Sequence, residues 1–370
     1  MPLCPKMKKV LLYTDADFWE PCSGHRVRIA ALIRYLSAHF LLTVVNTGPA
    51  PDNVESIVHD EYGIELIVLD HKKHLSSNGY GKKLKAILKS RNFDVLIVEY
   101  IHNSYCLNFL PYDCHVILDT HDIISERTRE FKKFNYGNAL YEMQEDVEAE
   151  IFNIYDHVVM INQLDFDKAC LMTDDSRKVL LCPHPCEIYQ HELRPEVTKI
   201  AFIASSYLPN TDSIKHFVAH CWEKISSKYN VELDIYGTVC IELDFSNNKS
   251  INLKGFESNL GKIYEDADII INPVRFGAGL KIKNLEALAH GKPLVTTRHG
   301  ARGIETGATN SYLAADDDDE FVLALSGLIE NKFSRETLQQ NAHNFIVKNF
   351  SSSRCFKPLY DSIIEFDITQ

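Results

Sequence analysis

"DIIINPVRFGAGLKIKNLEALAHGKPLVTT", residues 268–297, decides the fold of this chain. The apolar run 268–274 reads as a buried strand and "RFGAG" as the loop that leaves it. Residues 280–290 then follow a helical period, with Ile282, Leu285, Leu288 and Ala289 apolar. Gly291 fits a C-terminal cap, and Pro293 behind it opens the next strand-like run, "PLVTT". A strand, a helix and a second strand in this order form a βαβ unit, which makes the two strands parallel.

The same alternation recurs along the chain. Strands are expected at 9–14, 41–47, 64–70, 94–100, 115–121 and 157–162, with helices at 26–39, 82–91 and 141–155. "HELRPEVTK" (191–199) is polar and contains proline, as a linker does. Behind it a second series places strands at 199–205, 231–237, 251–255, 268–274 and 293–297, and helices at 213–228, 258–266 and 280–290. The fold class is therefore α/β, with two doubly wound, Rossmann-like sheets in tandem, and ligands expected where the C-terminal ends of the strands face a central cleft.

Composition narrows the function. With 370 residues, 45% of them apolar, the chain can bury a sizeable core, and a formal net charge of -12 excludes nucleic acid as a general partner. The ten cysteines follow no regular spacing and read as reduced, buried thiols of a cytoplasmic protein. "LCPHPC" (181–186) offers Cys182, His184 and Cys186, but the second ligand pair of a structural metal site is missing, so no metal is expected. The N-terminus lacks the apolar region of a signal peptide, and no run reaches the ~18 apolar residues of a membrane span. "DDDD" (316–319) reads as acids favoured by the dipole at a helix start.

The loop in the opening stretch has its own chemistry. It stands where a strand ends and a helix begins, so unpaired N–H groups and the helix dipole favour an anion. Gly277, Ala278 and Gly279 let a phosphate approach the backbone, and Lys281, placed in the first turn from Leu280, adds an ammonium that favours an anionic partner there. Glu286 could accept hydrogen bonds from the vicinal hydroxyls of a ribose, or simply pair with Lys283 at i,i+3.

Residues 272–304 resemble the donor-binding segment of the group 1 glycosyltransferases, family 4 and its relatives, which are retaining enzymes of GT-B architecture. "SSYLPNTDSIKHF" (205–217) and "LKGFESNLGKIYEDADIIINP" (253–273) are similar to the segments that lead into it, and "LCPHPCEI" stands at the family's inter-domain loop. In the first half, "EPCSGHRVRIAALIRYL" (20–36) is similar to the family's glycine loop, with Gly24 at the matching position, and "LDTHD" (118–122) to the segment of its active-site histidine, here His121. Residues 345–366 resemble the last helix, which crosses back to the first domain. The resemblance thus implies an acceptor-side domain over 1–190, a nucleotide-sugar domain over 198–345 and a returning helix over 346–370.

It further implies transfer of a sugar from a nucleotide sugar, UDP ahead of GDP, to a glycan or lipid-linked acceptor, with retention of configuration, in surface polysaccharide or glycoconjugate synthesis. No cofactor or metal is implied. His121, Lys281 and Glu286 take the catalytic positions. Gly24, Phe256, Arg275, Gly277, Ala278, Gly279 and Leu280 join Lys281 and Glu286 around the donor, and Glu99, Tyr100 and His102 line the acceptor side. Two departures stand out. The family's E-x7-E pattern puts Ala278 where a first acid would stand, and "ASSYLPNTD" (204–212) lacks the usual Arg and Lys pair. These keep two alternatives open, a catalytically silent binding or regulatory protein of the same fold and a nucleotide-sugar epimerase. The basic stretches 82–91 and 127–134 fit solvated helix faces or a peripheral contact with an anionic membrane.

Overall fold

The computed structural model describes residues 7–20, 23–69, 77–137, 141–307 and 310–366, with backbone alone for 77–80. Pro21 and Cys22 of the first glycine loop lie outside the described residues. The chain divides into two units, one made of 1–125, 140–184 and 352–370, the other of 126–139 and 185–351.

The first unit is built on seven strands: β1 (Lys9–Thr14), β2 (Leu41–Asn46), β3 (Glu65–Val68), β4 (Val95–Glu99), β5 (His115–Asp119), β6 (His157–Met160) and β7 (Val179–Leu181). Their order is β3-β2-β1-β4-β5-β6-β7 and every pairing is parallel. Both faces are covered, so alternate residues enter two separate cores. Val10, Leu12 and Ile97 pack into one, while Leu11, Tyr13, Leu96 and Val98 pack into the other. This is why these strands read as unbroken apolar runs rather than alternating ones.

The second unit holds β8 (Lys199–Ile203), β9 (Glu232–Tyr236), β10 (Ile251–Gly255), β11 (Ile269–Asn272), β12 (Leu294–Thr297) and β13 (Leu313–Ala315). They lie in the order β10-β9-β8-β11-β12-β13, again all parallel. In each sheet the chain winds one way and then the other, so the order reverses between β1 and β4 and between β8 and β11. Such reversal points leave a crevice outside the strand C-termini where loops diverge.

Three boundaries differ from the expected ones. Residues 126–139 fall inside 1–190 by sequence but belong to the second unit, because Phe276 stacks on Phe134 at 4.6 Å and on Tyr136 at 5.3 Å and meets Phe131 edge-on at 5.2 Å. The division falls after residue 184 rather than 190, and the return to the first unit begins at 352 rather than 346. The helix Lys332–Asn349 carries buried Ala342, Phe345 and Ile346, which keeps it whole within the second unit. The basic stretch 127–134 is correspondingly amphipathic: Lys132 and Lys133 are exposed, while Phe131 is buried against Phe276.

Candidate active site

At the reversal point of the second sheet, the loop after β11 meets the helix after β8. The backbone amide of Arg275 donates to Ser213 Oγ at 3.2 Å, which ties loop to helix Leu208–Phe217. Gly277 and Gly279 have φ of 107° and 73°, a region that side chains disfavour, and a Cβ on Gly277 would meet Pro209 Cγ at 3.3 Å. The glycines are thus required by the turn itself.

The helix begins later than expected. It spans Ile282–Ala289 with Lys281 at its N-cap, so Leu280 and Lys281 belong to the loop and not to the first turn. Two buried asparagines hold this start in place. Asn272, ending β11, donates to Asn284 Oδ1 at 2.8 Å, and Asn284 donates to the carbonyl of Gly300 at 2.8 Å. Lys281 folds back over the loop, donating to the carbonyls of Ala278 (2.9 Å) and Gly279 (3.0 Å). Arg275 points the other way, into an ion pair with Asp212 at 2.7 Å. Its placement is set by that partner and by the Phe134 ring, 5.5 Å from its guanidinium carbon.

Two basic groups to which the sequence reading gave no donor-binding role close this corner. Lys283 donates to Asn210 Oδ1 at 2.8 Å and lies 4.7 Å above the Phe202 ring. Burial, then the charge of Lys281, pull its ammonium down to about 7. His299 makes a 2.7 Å hydrogen bond with the carbonyl of Gly277, and burial holds its imidazole neutral, near 3. Lys283 was legible only as a partner for Glu286. In the structure Glu286 accepts instead from the buried Tyr264 hydroxyl at 3.1 Å, and burial raises its carboxyl above the usual range against the opposing effects of Tyr264 and Lys283. Phe256, following β10, is 59% exposed, which rules out a role as a core aromatic.

The first unit carries the remaining candidates. Gly24 opens the helix Gly24–His39 rather than preceding it, with Ser23 as N-cap. His121 stands just beyond β5 in a γ-turn, where Asp122 N donates to Thr120 O at 2.8 Å and His121 takes φ 64°. Tyr100, beyond the neighbouring β4, has φ 67° and ψ 140°, and its ring lies 4.4 Å from the His121 ring. Left-handed backbone at two adjacent non-glycine strand ends stores strain of about 1–3 kcal/mol each, which points to function.

Glu99 corrects its acceptor-side assignment. It is 0% exposed, and its Oε2 lies 2.7 Å from His121 Nε2, so it supports the histidine from behind and cannot line a pocket. His102 remains exposed and hydrogen-bonds Asp15 at 2.9 Å. Beneath Glu99, Arg28 and Asp119 form a fully buried ion pair at 2.8 Å. One atom each of Glu99, Asp119 and His121 lie within 4.8 Å of one another. The three groups belong to two separate pairs, Arg28 with Asp119 and Glu99 with His121, and the guanidinium balances the Asp119 charge. Cys182 is buried nearby with its thiol pushed up to about 12, which argues against a thiolate ligand. Among the described residues all eight cysteines are free, and no helix is long and apolar enough to cross a membrane.

Residues 198–331 match the model of the family described as "Glycosyl transferases group 1". Solved structures share the whole fold. The Anabaena protein HepE in complex with UDP and glucose superposes with a TM-score of 0.73 at 12% identity, over 98% of this chain and 100% of that one. TarM gives 0.76 at 10% (98% and 99%), and sucrose-phosphate synthase from Thermosynechococcus elongatus gives 0.73 at 13% (96% and 99%). A curated protein of Klebsiella pneumoniae, described as an uncharacterized 44.6 kDa protein in the cps region, is 30% identical over 104 residues, a match that spans 28% of this chain and 27% of that relative. The chain thus has the two-sheet GT-B fold, and residues 198–331 of its second unit are similar to the group 1 glycosyltransferases.

Proposed function

We propose that this chain transfers a sugar from a nucleotide sugar to a glycan or lipid-linked acceptor, with retention of configuration and without a cofactor, in the making of a surface polysaccharide. One observation carries the reading: at a single sheet-reversal point, two positive-φ glycines, Lys281, Lys283 and Glu286 come together at the start of one helix. The bare backbone and the two ammonium groups suit a diphosphate, and a carboxylate one turn on suits the ribose.

Positive charge at the departing diphosphate is what glycosyl transfer needs, and a fixed helix start with two lysines supplies it without a metal. Phe256, being exposed, is free to meet the base by stacking. His121 hydrogen-bonds a hydroxyl of the transferred sugar, Gly24 admits the donor phosphate, and Tyr100 and His102 face the acceptor. UDP as the nucleotide is supported by the HepE complex, and surface polysaccharide by the cps-region relative.

The missing acid at Ala278 and the missing basic pair in 204–212 motivate the silent-protein reading. Lys283 weighs against the second ground, since it brings an ammonium to the helix after β8 from the opposite side. Calorimetric titration with UDP, GDP and their sugars tests the reading. Micromolar binding of a UDP-sugar, and an anomeric proton of unchanged configuration in the product, are expected. Binding of none of these ligands overturns it.

A further inference from the structure

Behind His121 the first unit buries more polar chemistry than packing needs. Glu99 Oε2 sits 2.7 Å from His121 Nε2, while Glu99 Oε1 has no hydrogen-bond partner although the residue is wholly buried. Among the described residues the other ring nitrogen of His121, Nδ1, meets no protein partner. The γ-turn and the Tyr100 ring fix the imidazole on its remaining sides.

We propose that Glu99 is a positioning residue: its carboxyl group sets the tautomer of His121, so that the ring presents a hydrogen on Nδ1 to its ligand. The inference rests on His121 as the residue that meets the transferred sugar, and it deepens that reading by fixing which way the hydrogen bond runs.

The electrostatics of the cluster agree. Burial first, then the charge of Asp119, lifts the Glu99 carboxyl well above the usual carboxylate range. Asp15 acts in the same direction and Arg28 opposes them. Burial likewise holds His121 neutral, at about 4, with Asp119 and Asp122 pulling up and Arg28 pulling down. His25 and His184 face the same ring and are themselves held low by burial, at about 4 and 3, so neither brings a charge. Tyr100 stays a neutral phenol, its hydroxyl raised by burial. One proton is then shared between the two groups. A buried Oε1 without a partner suits a neutral carboxyl better than an ionised one, so we place this proton on Glu99, donated to Nε2, which leaves the imidazole's own hydrogen on Nδ1. An ionised Glu99 would reverse both bonds, placing the hydrogen on Nε2 and a lone pair on Nδ1.

The tautomer can be read without any turnover. Long-range proton–nitrogen correlation spectra of protein labelled with ¹⁵N-histidine, assigned with a His121→Asn variant, should show the Nδ1–H form of His121 near neutral pH. That form should give way to Nε2–H as Glu99 ionises at higher pH. In Glu99→Gln the amide also donates to Nε2, so Nδ1–H should persist across the whole range. An Nε2–H or imidazolium form in the wild type near neutral pH overturns the proposal, whatever donor the protein uses.

Steady-state turnover of UDP-glucose gives the second readout. Glu99→Leu should lower kcat at least about tenfold. Glu99→Gln should keep kcat and KM within about threefold and lose the alkaline limb of the wild-type pH profile. Equal losses in both variants would show that a hydrogen bond donated to Nε2 is not what Glu99 supplies, and a limb that survives in Glu99→Gln would assign that limb to another group; either outcome overturns the proposal. Absence of UDP-glucose turnover in wild type beside an Nδ1–H tautomer would count against glucose as the transferred sugar and leave the tautomer proposal supported.

Discussion

Lys283 Nζ lies 2.8 Å from Asn210 Oδ1, so the helix after the glycine loop delivers its ammonium to the helix that follows the neighbouring strand. Because that ammonium is held down at about 7, it is half-charged near neutral pH in the free protein. A bound diphosphate raises its pKa. The sign then follows: the contribution to affinity is complete below about pH 7 and is lost as pH climbs through the higher value of the complex. UDP titrated in buffers of different ionisation enthalpy at pH 8 should show proton uptake, and Lys283→Met should abolish it. The same variant should weaken binding by about 1.5–3 kcal/mol, the value of a charge-assisted hydrogen bond.

Glu286 is held by Tyr264 at 3.1 Å and not by a lysine, which leaves its second oxygen for a ligand hydroxyl. Glu286→Ala should therefore weaken UDP by at least about tenfold, or 1.4 kcal/mol, while inorganic pyrophosphate, which has no ribose, binds as before. Parallel calorimetric titrations separate the two, and equal losses would place Glu286 on the phosphates.

Much of this was legible in the sequence. Eleven of the strands were legible, most of them because a strand covered on both faces must be apolar throughout, as "VLIVE" in β4 is. β7 and β13 have three residues each and lie at sheet edges, too short to show a pattern. The glycine loop was legible because only glycine accepts the backbone angles at 277 and 279. Lys283, Asn210 and His299 were not, since they converge only once β8, β11 and β12 become neighbours. Glu99 was placed at the right strand end, but its burial depends on packing that no local pattern encodes.

Arg28 and Asp119 form an ion pair with both side chains 1% exposed. Removing one partner strands a buried charge, at a cost of about 3–5 kcal/mol. The chain's two tryptophans fall one in each unit, Trp19 in the first and Trp222 in the second, which makes the effect assignable. In a Trp222→Phe background, Arg28→Ala should lower the urea midpoint reported by Trp19. In a Trp19→Phe background the same change should leave the midpoint reported by Trp222 in place.

Phe276 is wholly buried among Phe131, Phe134 and Tyr136, one residue ahead of the first positive-φ glycine. Glu130 strengthens the same attachment, lying 3.7 Å from His299 and 3.8 Å from Arg302. These contacts fasten residues 126–139 to the loop that is assigned the diphosphate, so order in one should depend on order in the other. Phe276→Ala removes the central ring at a cost of about 3–5 kcal/mol. Its first consequence should be local release of the segment, because few other apolar groups hold it. Trypsin should then cut after the exposed Lys132 and Lys133 at least about tenfold faster than in the wild type, and saturating UDP should slow the cut if loop and segment are coupled. Unchanged cleavage in Phe276→Ala would mean that the helix Ile124–Lys133 stands without the aromatic cluster.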